Sequence, residues 1–164
     1  MVRKCSVTNS SDTPTIGLFG LHVSKESKAI LNAAEELGFD TVWLREENTT
    51  VTVKDGEVEL EPDADVIINR LLLSKSTKPA EDLGLTRILE GFCPTLNTSN
   101  AVLTAIHKYA AAVVLAKAGL PVPDAVLALA TEKLNEQQDS FGEQAVYKTT
   151  IGTHGGGTWR VALD

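Results

Sequence analysis

The chain has only two cysteines, Cys5 and Cys93, and their spacing fits neither a zinc site nor a disulfide framework. They read as reduced thiols by the usual compartment rule, so the localisation expected is cytoplasmic. No apolar run approaches the ~18 residues that a membrane-spanning helix requires. The first stretch, Met1 to Thr13, lacks the apolar centre of a signal peptide and reads as a flexible polar tail, residues 1–14. There is no surplus of positive charge either. A net charge of −7 excludes a broad nucleic-acid or anionic-membrane surface, though not one local basic pocket. Internal repeats and low-complexity segments are absent. The three histidines, His22, His107 and His154, show no nucleophile–base–acid logic and read as structural or surface residues.

What is present is ordinary globular material: 164 residues, 43% hydrophobic and 23% charged, enough for one domain or two small ones. Thr15 to Gly20 is a compact apolar strand. Ser24 is placed to cap the helix that follows, although Ser27 stands where a Glu would complete a capping box. Ile30, Ala33, Ala34 and Leu37 recur at helical spacing up to Gly38. Asp40 to Arg45 is a second strand, and the β-α-β order implies a parallel pair. Thr50 to Leu60 alternates on both sides of Asp55-Gly56, a hairpin signal. Asp65 to Arg70 is a third core strand, apolar enough to be covered on both faces. Arg70 ends it, where open α/β sheets bind ligands; a surface ion pair is the other reading of that arginine.

Ala80 to Glu90 is expected to be helical, and Phe92 to Asn97 to cross as an extended segment. Ser99 or Asn100 would cap one long helix to about Ala118, with Val102, Ile106, Tyr109 and Val113 on one stripe and Gly119 ending it. Lys108 falls off that stripe, as a lysine snorkelling to solvent does. Leu120-Pro121-Val122-Pro123 is a stiff connector. Ala125 to Ala130 reads as a strand, and Thr131 to Leu134 as a short polar helix.

The end of the chain holds the most pointed pattern. Two β-prone runs, Ala145–Thr149 and Thr158–Leu163, flank four glycines in the six positions Gly152, Thr153, His154, Gly155, Gly156 and Gly157. Such loops present bare N–H groups to phosphate oxygens, and Lys148 stands just before this one. The pattern is not a Walker A loop, which runs Gly-Lys-Ser/Thr into a helix, nor a dinucleotide fingerprint, which also opens a helix. A glycine flap over phosphates between antiparallel strands fits. A plain flexible hairpin satisfies the same pattern.

Taken in order, several segments resemble the ATP-grasp superfamily, and within it the RimK-type α-L-glutamate ligases and related carboxylate–amine ligases. They are Leu96-Asn97-Thr98-Ser99-Asn100-Ala101, then His107-Lys108, then Leu115 to Pro123, then Val146-Tyr147-Lys148 and its glycine loop. The strand Val66 to Arg70 resembles that family's preceding domain. Two departures are visible: His107 stands where Asp is common, and Thr149 where Pro is common. The resemblance implies an α/β chain: a parallel, Rossmann-like pre-ATP-grasp domain over 15–95, then an incomplete first α+β subdomain of an ATP-grasp fold over 96–164. It implies ATP as cofactor, with Lys108, Lys148, Gly152, Thr153, His154, Gly155, Gly156 and Gly157 at the phosphates; Arg70, from its place at the end of its strand, is the candidate substrate contact. It also implies Mg²⁺, with metal ligands expected downstream of residue 164 and none in this chain.

The implied chemistry is attack of a carboxylate on the γ-phosphoryl group, then capture of the acyl phosphate by an amine. Lysines and backbone N–H groups align and neutralise the phosphates, and a mobile flap keeps water from the intermediate. No catalytic base is identified. The partners implied are ATP and a small carboxylate or amine, with no nucleic acid and no membrane, and copies of the chain associating through exposed apolar surface. These residues alone would not turn ATP over. A stand-alone nucleotide- or partner-binding domain without catalysis is the alternative, and an interaction protein with an incidental glycine loop a third.

Overall fold

A computed structural model describes residues 13–20, 22–152 and 157–162. They fall into two compact units, one running to Ser99 and the other beginning at Asn100. Of the expected tail, residues 1–12 lie outside the described residues. Pro14, at its end, is tied to the sheet, since its carbonyl accepts from the Asp40 N–H at 3.2 Å.

The first unit is built on a parallel sheet. Strand β1 (Thr15–Phe19) leads into helix α1 (Lys25–Glu36) and strand β2 (Asp40–Leu44). A hairpin follows, β3 (Thr50–Lys54) with β4 (Glu57–Glu61), and then β5 (Val66–Asn69), helix α2 (Pro79–Leu89) and the two-residue β6 (Thr95–Leu96). The sheet order is β2-β1-β5-β6, and every pair in it is parallel. The three expected strands therefore lie in one parallel sheet. The extended segment after α2 adds a fourth strand that its sequence did not announce. Ile67 N–H, donating to Pro94 O at 2.9 Å, and the Ile68–Leu96 pairing recruit it.

Leu18 and Phe19 are neighbours in β1 and therefore point to opposite faces, yet both are wholly buried. Layers thus cover both faces, as parallel sheets require. Leu44, Ile67 and Leu89 are the other large apolar side chains fully buried among the described residues. Val66 and Ile68 are only half-buried, so β5 is less enclosed than its run of apolar residues implies.

Local signals read from the sequence recur as geometry. Ser24 Oγ accepts from the Ser27 N–H at 3.1 Å, capping α1, and Gly38 ends that helix at φ 85°. Asp55 and Gly56 both take positive φ, 53° and 83°, which a two-residue hairpin turn of this twist requires. Pro79 opens α2, where its missing N–H costs nothing. The expected cap on the next helix differs. Ser99 N–H and Ser99 Oγ both donate to the Glu90 carboxylate, so Ser99 is held from the end of α2.

The second unit contains α3 (Ser99–Ile106, which straddles the boundary), α4 (Lys108–Lys117), the short α5 (Thr131–Asn135), a 3₁₀ turn at Gln138–Phe141, and the antiparallel hairpin of β7 (Gln144–Lys148) and β8 (Thr158–Ala162). The single long helix expected from Ser99 to Ala118 is two helices, broken at His107. There the backbone is extended (φ −90°, ψ 101°) and bridges Ile151. The strand expected at Ala125–Ala130 is not formed: no described strand pairs with it, and Leu129 is fully exposed. No described residue from Asn100 onward is buried. No helix among the described residues is long and apolar enough to cross a membrane.

Two features of the first unit yield predictions. A Cβ added at Gly17, in the middle of β1, would lie 2.9 Å from Ala64 Cβ and 3.2 Å from Leu44 Cδ1. Gly17→Ala should therefore lower stability by about 1–3 kcal/mol in urea denaturation, the usual effect of overpacking a filled core. Lys78 Nζ sits 2.5 Å from Glu46 Oε1 and holds that carboxyl below its ordinary range, first by hydrogen bonding and then by charge. Lys78→Met should return the Glu46 carboxyl toward the ordinary range, read by NMR titration. The pair's contribution is present above the unfolded carboxyl's value and lost as pH falls through the lowered folded value.

Candidate functional site

The sequence separates Lys108 from the glycine loop by some forty positions, and the fold brings the two together. β7 ends at Lys148, which pairs with Thr158 at the hairpin's loop end. The chain leaves as Thr149-Thr150-Ile151-Gly152. On the other side of this exit stands the break between α3 and α4. Because His107 is extended, the Lys108 N–H is turned away from the preceding helix and donates to Thr150 O at 2.8 Å. The Lys108 ammonium donates to Thr149 O at 2.9 Å. Backbone and side chain of one residue therefore grip the two residues that follow Lys148. An ammonium has three donors, so two remain on Lys108 for another acceptor.

Lys148 itself is exposed on β7. Strand alternation puts Val146 and Lys148 on one face of the hairpin with Thr158 and Arg160 opposite. Arg160 is thus a second cation on the face of Lys148, and the sequence reading did not single it out. Its one visible signal was even spacing from Lys148 across a loop whose register is set only by pairing. Arg160 Nη2 donates to Gln144 Oε1 at the hairpin's far end. On the opposite face Tyr147 and Trp159, cross-strand partners, pack with ring centroids 5.6 Å apart and planes tilted by 38°.

Of the glycine loop, Gly152 and Gly157 are described, and Thr153, His154, Gly155 and Gly156 lie outside the described residues. Gly157 is glycine for two reasons. Its φ is 70°, and a Cβ there would come within 2.6 Å of Thr149 Cγ2 and Oγ1. Gly157 O also accepts from the Thr149 N–H at 2.8 Å, closing the loop's root. Thr149 Oγ1 donates to Ile151 O at 2.9 Å. The root is therefore a tight knot of Thr149, Ile151 and Gly157, with Lys108 tied to it.

Arg70 belongs to the first unit. Its N–H donates to Phe19 O at 2.8 Å, and it stands at the carboxyl end of β5 beside Gly20. It is exposed and close enough to the first turn of α1 to act on Glu26. The Glu26 carboxyl is held below its ordinary range first by its own backbone N–H, then by Ser24, with the Arg70 charge adding to both. Just inside, Asn69 is buried; its Nδ2 donates to Asn97 O at 3.0 Å and its Oδ1 accepts from Leu71 N–H at 2.9 Å. This pins the chains leaving β5 and β6 side by side, a positioning role the sequence did not flag.

Two lysines meet a glycine-bounded loop root, whereas no group of three His, Cys, Asp or Glu among the described residues could hold a metal ion. Gly157→Ala tests the knot. It should open the loop's root and raise hydrogen exchange of the Thr149 amide at least tenfold, while the amides of β1 and β5 keep their protection. Adding Thr149→Ala should recover part of the loss, because the two 2.6 Å clashes vanish while the strained φ remains.

No family model matches the sequence, and no curated protein matches it. Solved structures do. A RimK-domain ATP-grasp protein from Sphaerobacter thermophilus superposes with a TM-score of 0.66 at 16% identity, covering 90% of this chain and 53% of that one. The ATP-grasp ligase PsnB, in complex with a minimal precursor, Mg and ADP, gives 0.60 at 16% identity over 89% of this chain and 57% of its own. D-alanyl-alanine synthetase A from Vibrio cholerae gives 0.59 at 14% identity, 93% and 53%. The chain has the fold of the ATP-grasp ligases and spans about half the length of those it matches.

Proposed function

We propose that this chain forms the amino-terminal portion of an ATP-dependent carboxylate–amine ligase of RimK-like type. In this reading a parallel α/β domain over 15–95 precedes the first part of an ATP-grasp domain over 96–164. Lys108, Lys148 and the loop from Gly152 to Gly157 contact the nucleotide phosphates. The observation that carries the reading is the grip of Lys108 on Thr149 and Thr150, which sets two ammonium-bearing residues at the root of one glycine loop. Compact ammonium charges on flexible stems suit polyphosphate, whose charge must be neutralised before a carboxylate can approach. PsnB was solved with ADP and Mg, which supports nucleotide use with this fold. Mg²⁺ belongs to the proposed reaction, and its protein ligands are proposed outside the described residues.

Arg70 is proposed to face the carboxylate substrate from the carboxyl end of the parallel sheet, where such sheets bind ligands. The remaining partners proposed are the amine and a second copy of the chain. Copies would associate through the apolar side chains left exposed in the second unit, among them Val114, Leu115 and Val146. Neither nucleic acid nor membrane is proposed as a partner, and the location proposed is cytoplasmic.

Calorimetric titration of Mg-ATP tests the phosphate-binding role of the lysines. The chain should bind with a dissociation constant in the millimolar range, about three orders of magnitude or ~4 kcal/mol weaker than a micromolar site, and show no turnover. Lys108→Ala and Lys148→Ala should each weaken binding about tenfold, which is ~1.4 kcal/mol for each ammonium removed from the phosphates. Equal affinities for the three proteins would remove the lysines from the phosphate site. Light scattering over a concentration series tests the self-association, and a monomer at all concentrations ends that part.

A further inference from the structure

We propose that His107 is the positioning residue for Lys108 and the glycine-loop root, and that it acts only while its Nδ1 carries no proton. The inference rests on the reading of Lys108 as a phosphate ligand and adds to it a control by pH.

His107 does three things at once. Its extended backbone ends α3 and bridges Ile151. Its carbonyl accepts from the Ala111 N–H at 3.0 Å, the first bond of α4. Its Nδ1 accepts from the Ala110 N–H at 3.2 Å, so the side chain caps the helix it begins. The next residue is Lys108, whose N–H and ammonium reach Thr150 and Thr149. The direction in which Lys108 points is thus set by the conformation of the residue that precedes it, and the cap holds that conformation.

Helix caps are normally Ser, Thr, Asp or Asn, whose oxygens accept at any pH near neutrality. An imidazole accepts only at an unprotonated nitrogen, so here the ring proton sits on Nε2. Once protonated, both nitrogens donate. The Ala110 N–H then loses its partner, and a positive charge stands at the positive end of the α4 dipole. The titratable groups on the two helices that meet at His107 and on the hairpin whose exit it bridges do not offset this. They are Lys108, Tyr109 and Lys117 on α4, Tyr147 and Lys148 on β7, and Arg160 on β8, while α3 carries none. No carboxylate lies on these elements to hold the imidazolium in place. Protonation therefore releases the cap and with it the register of Lys108 on Thr149 and Thr150. Imidazole is the side chain that ordinarily changes charge between about pH 5 and 8.

The test follows amide and imidazole resonances by NMR from pH 8 to pH 5, in the wild type and in His107→Asn, which keeps a cap acceptor that does not titrate. In the wild type the amides of Ala110, Lys108 and Ile151 should shift together along the His107 titration, with Nδ1 unprotonated at the high end. In His107→Asn the same amides should stay flat, and His107→Ala should resemble the acid form at every pH. Mg-ATP affinity supplies the second readout. The ratio of wild-type to His107→Asn affinity cancels the nucleotide's own ionisation, and should fall about fivefold from pH 8 to pH 5, the scale of one missing cap. Identical amide titrations in wild type and His107→Asn overturn the proposal, as does a protonated Nδ1 at pH 8. Absence of ATP binding in all variants removes the phosphate reading alone, because the amide titrations decide the coupling of His107 to the loop root without nucleotide.

Discussion

A backbone N–H or C=O taken out of water must find a partner, and that constraint decides more of this structure than any single side chain. It recruits Thr95–Leu96 into the parallel sheet, because the free edge of β5 offers Ile67 and Ile68 for pairing. It interrupts the run of helix-forming residues between Ser99 and Lys117, because the Lys108 N–H pairs with Thr150 across the second unit. It leaves Ala125–Ala130 without strand structure, because no described strand lies alongside to complete the ladder. In each case the segment's own propensity is overridden or left unused by what a distant segment offers.

The same constraint gives the candidate site its character. The knot at the loop root consists almost wholly of hydrogen bonds to backbone groups: Thr149 N–H to Gly157 O, Lys108 N–H to Thr150 O, and Lys108 Nζ to Thr149 O. A site held in this way fixes the loop's two ends. Gly157 is the clearest case of a residue type dictated by geometry. Its positive φ and its closeness to Thr149 both exclude a side chain, independently of any ligand. A glycine required for closing a loop and a glycine offered to a phosphate look alike in sequence. The position of Lys108 is the added fact that favours a ligand, because a lone glycine-rich hairpin has no need of a lysine tied to its root.

The two units differ in how they hold together. The first has a core of wholly buried apolar side chains on both faces of β1 and a buried Asn69 that uses both ends of its amide. The second has no buried residue among those described, and its order rests on hydrogen bonds, caps and the Tyr147–Trp159 contact. Burial of apolar surface is the main favourable term in folding, so the second unit is the less stable by this measure.

The sequence by itself determined the elements whose causes are local. The first three strands, the Ser24 cap, the Asp55-Gly56 turn, the Pro79 helix start and the Gly38 and Gly119 stops all depend on neighbours a few residues away. It also held the order of motifs that resembles the ATP-grasp ligases, and that fold is what the solved structures match. Tertiary structure alone decided the fourth strand, the break at His107, the alignment of Arg160 with Lys148, and the meeting of Lys108 with Thr149. The physical reason is common to all four. Each depends on a pairing between residues far apart along the chain, and such a pairing leaves no periodicity, cap or turn signal in either partner.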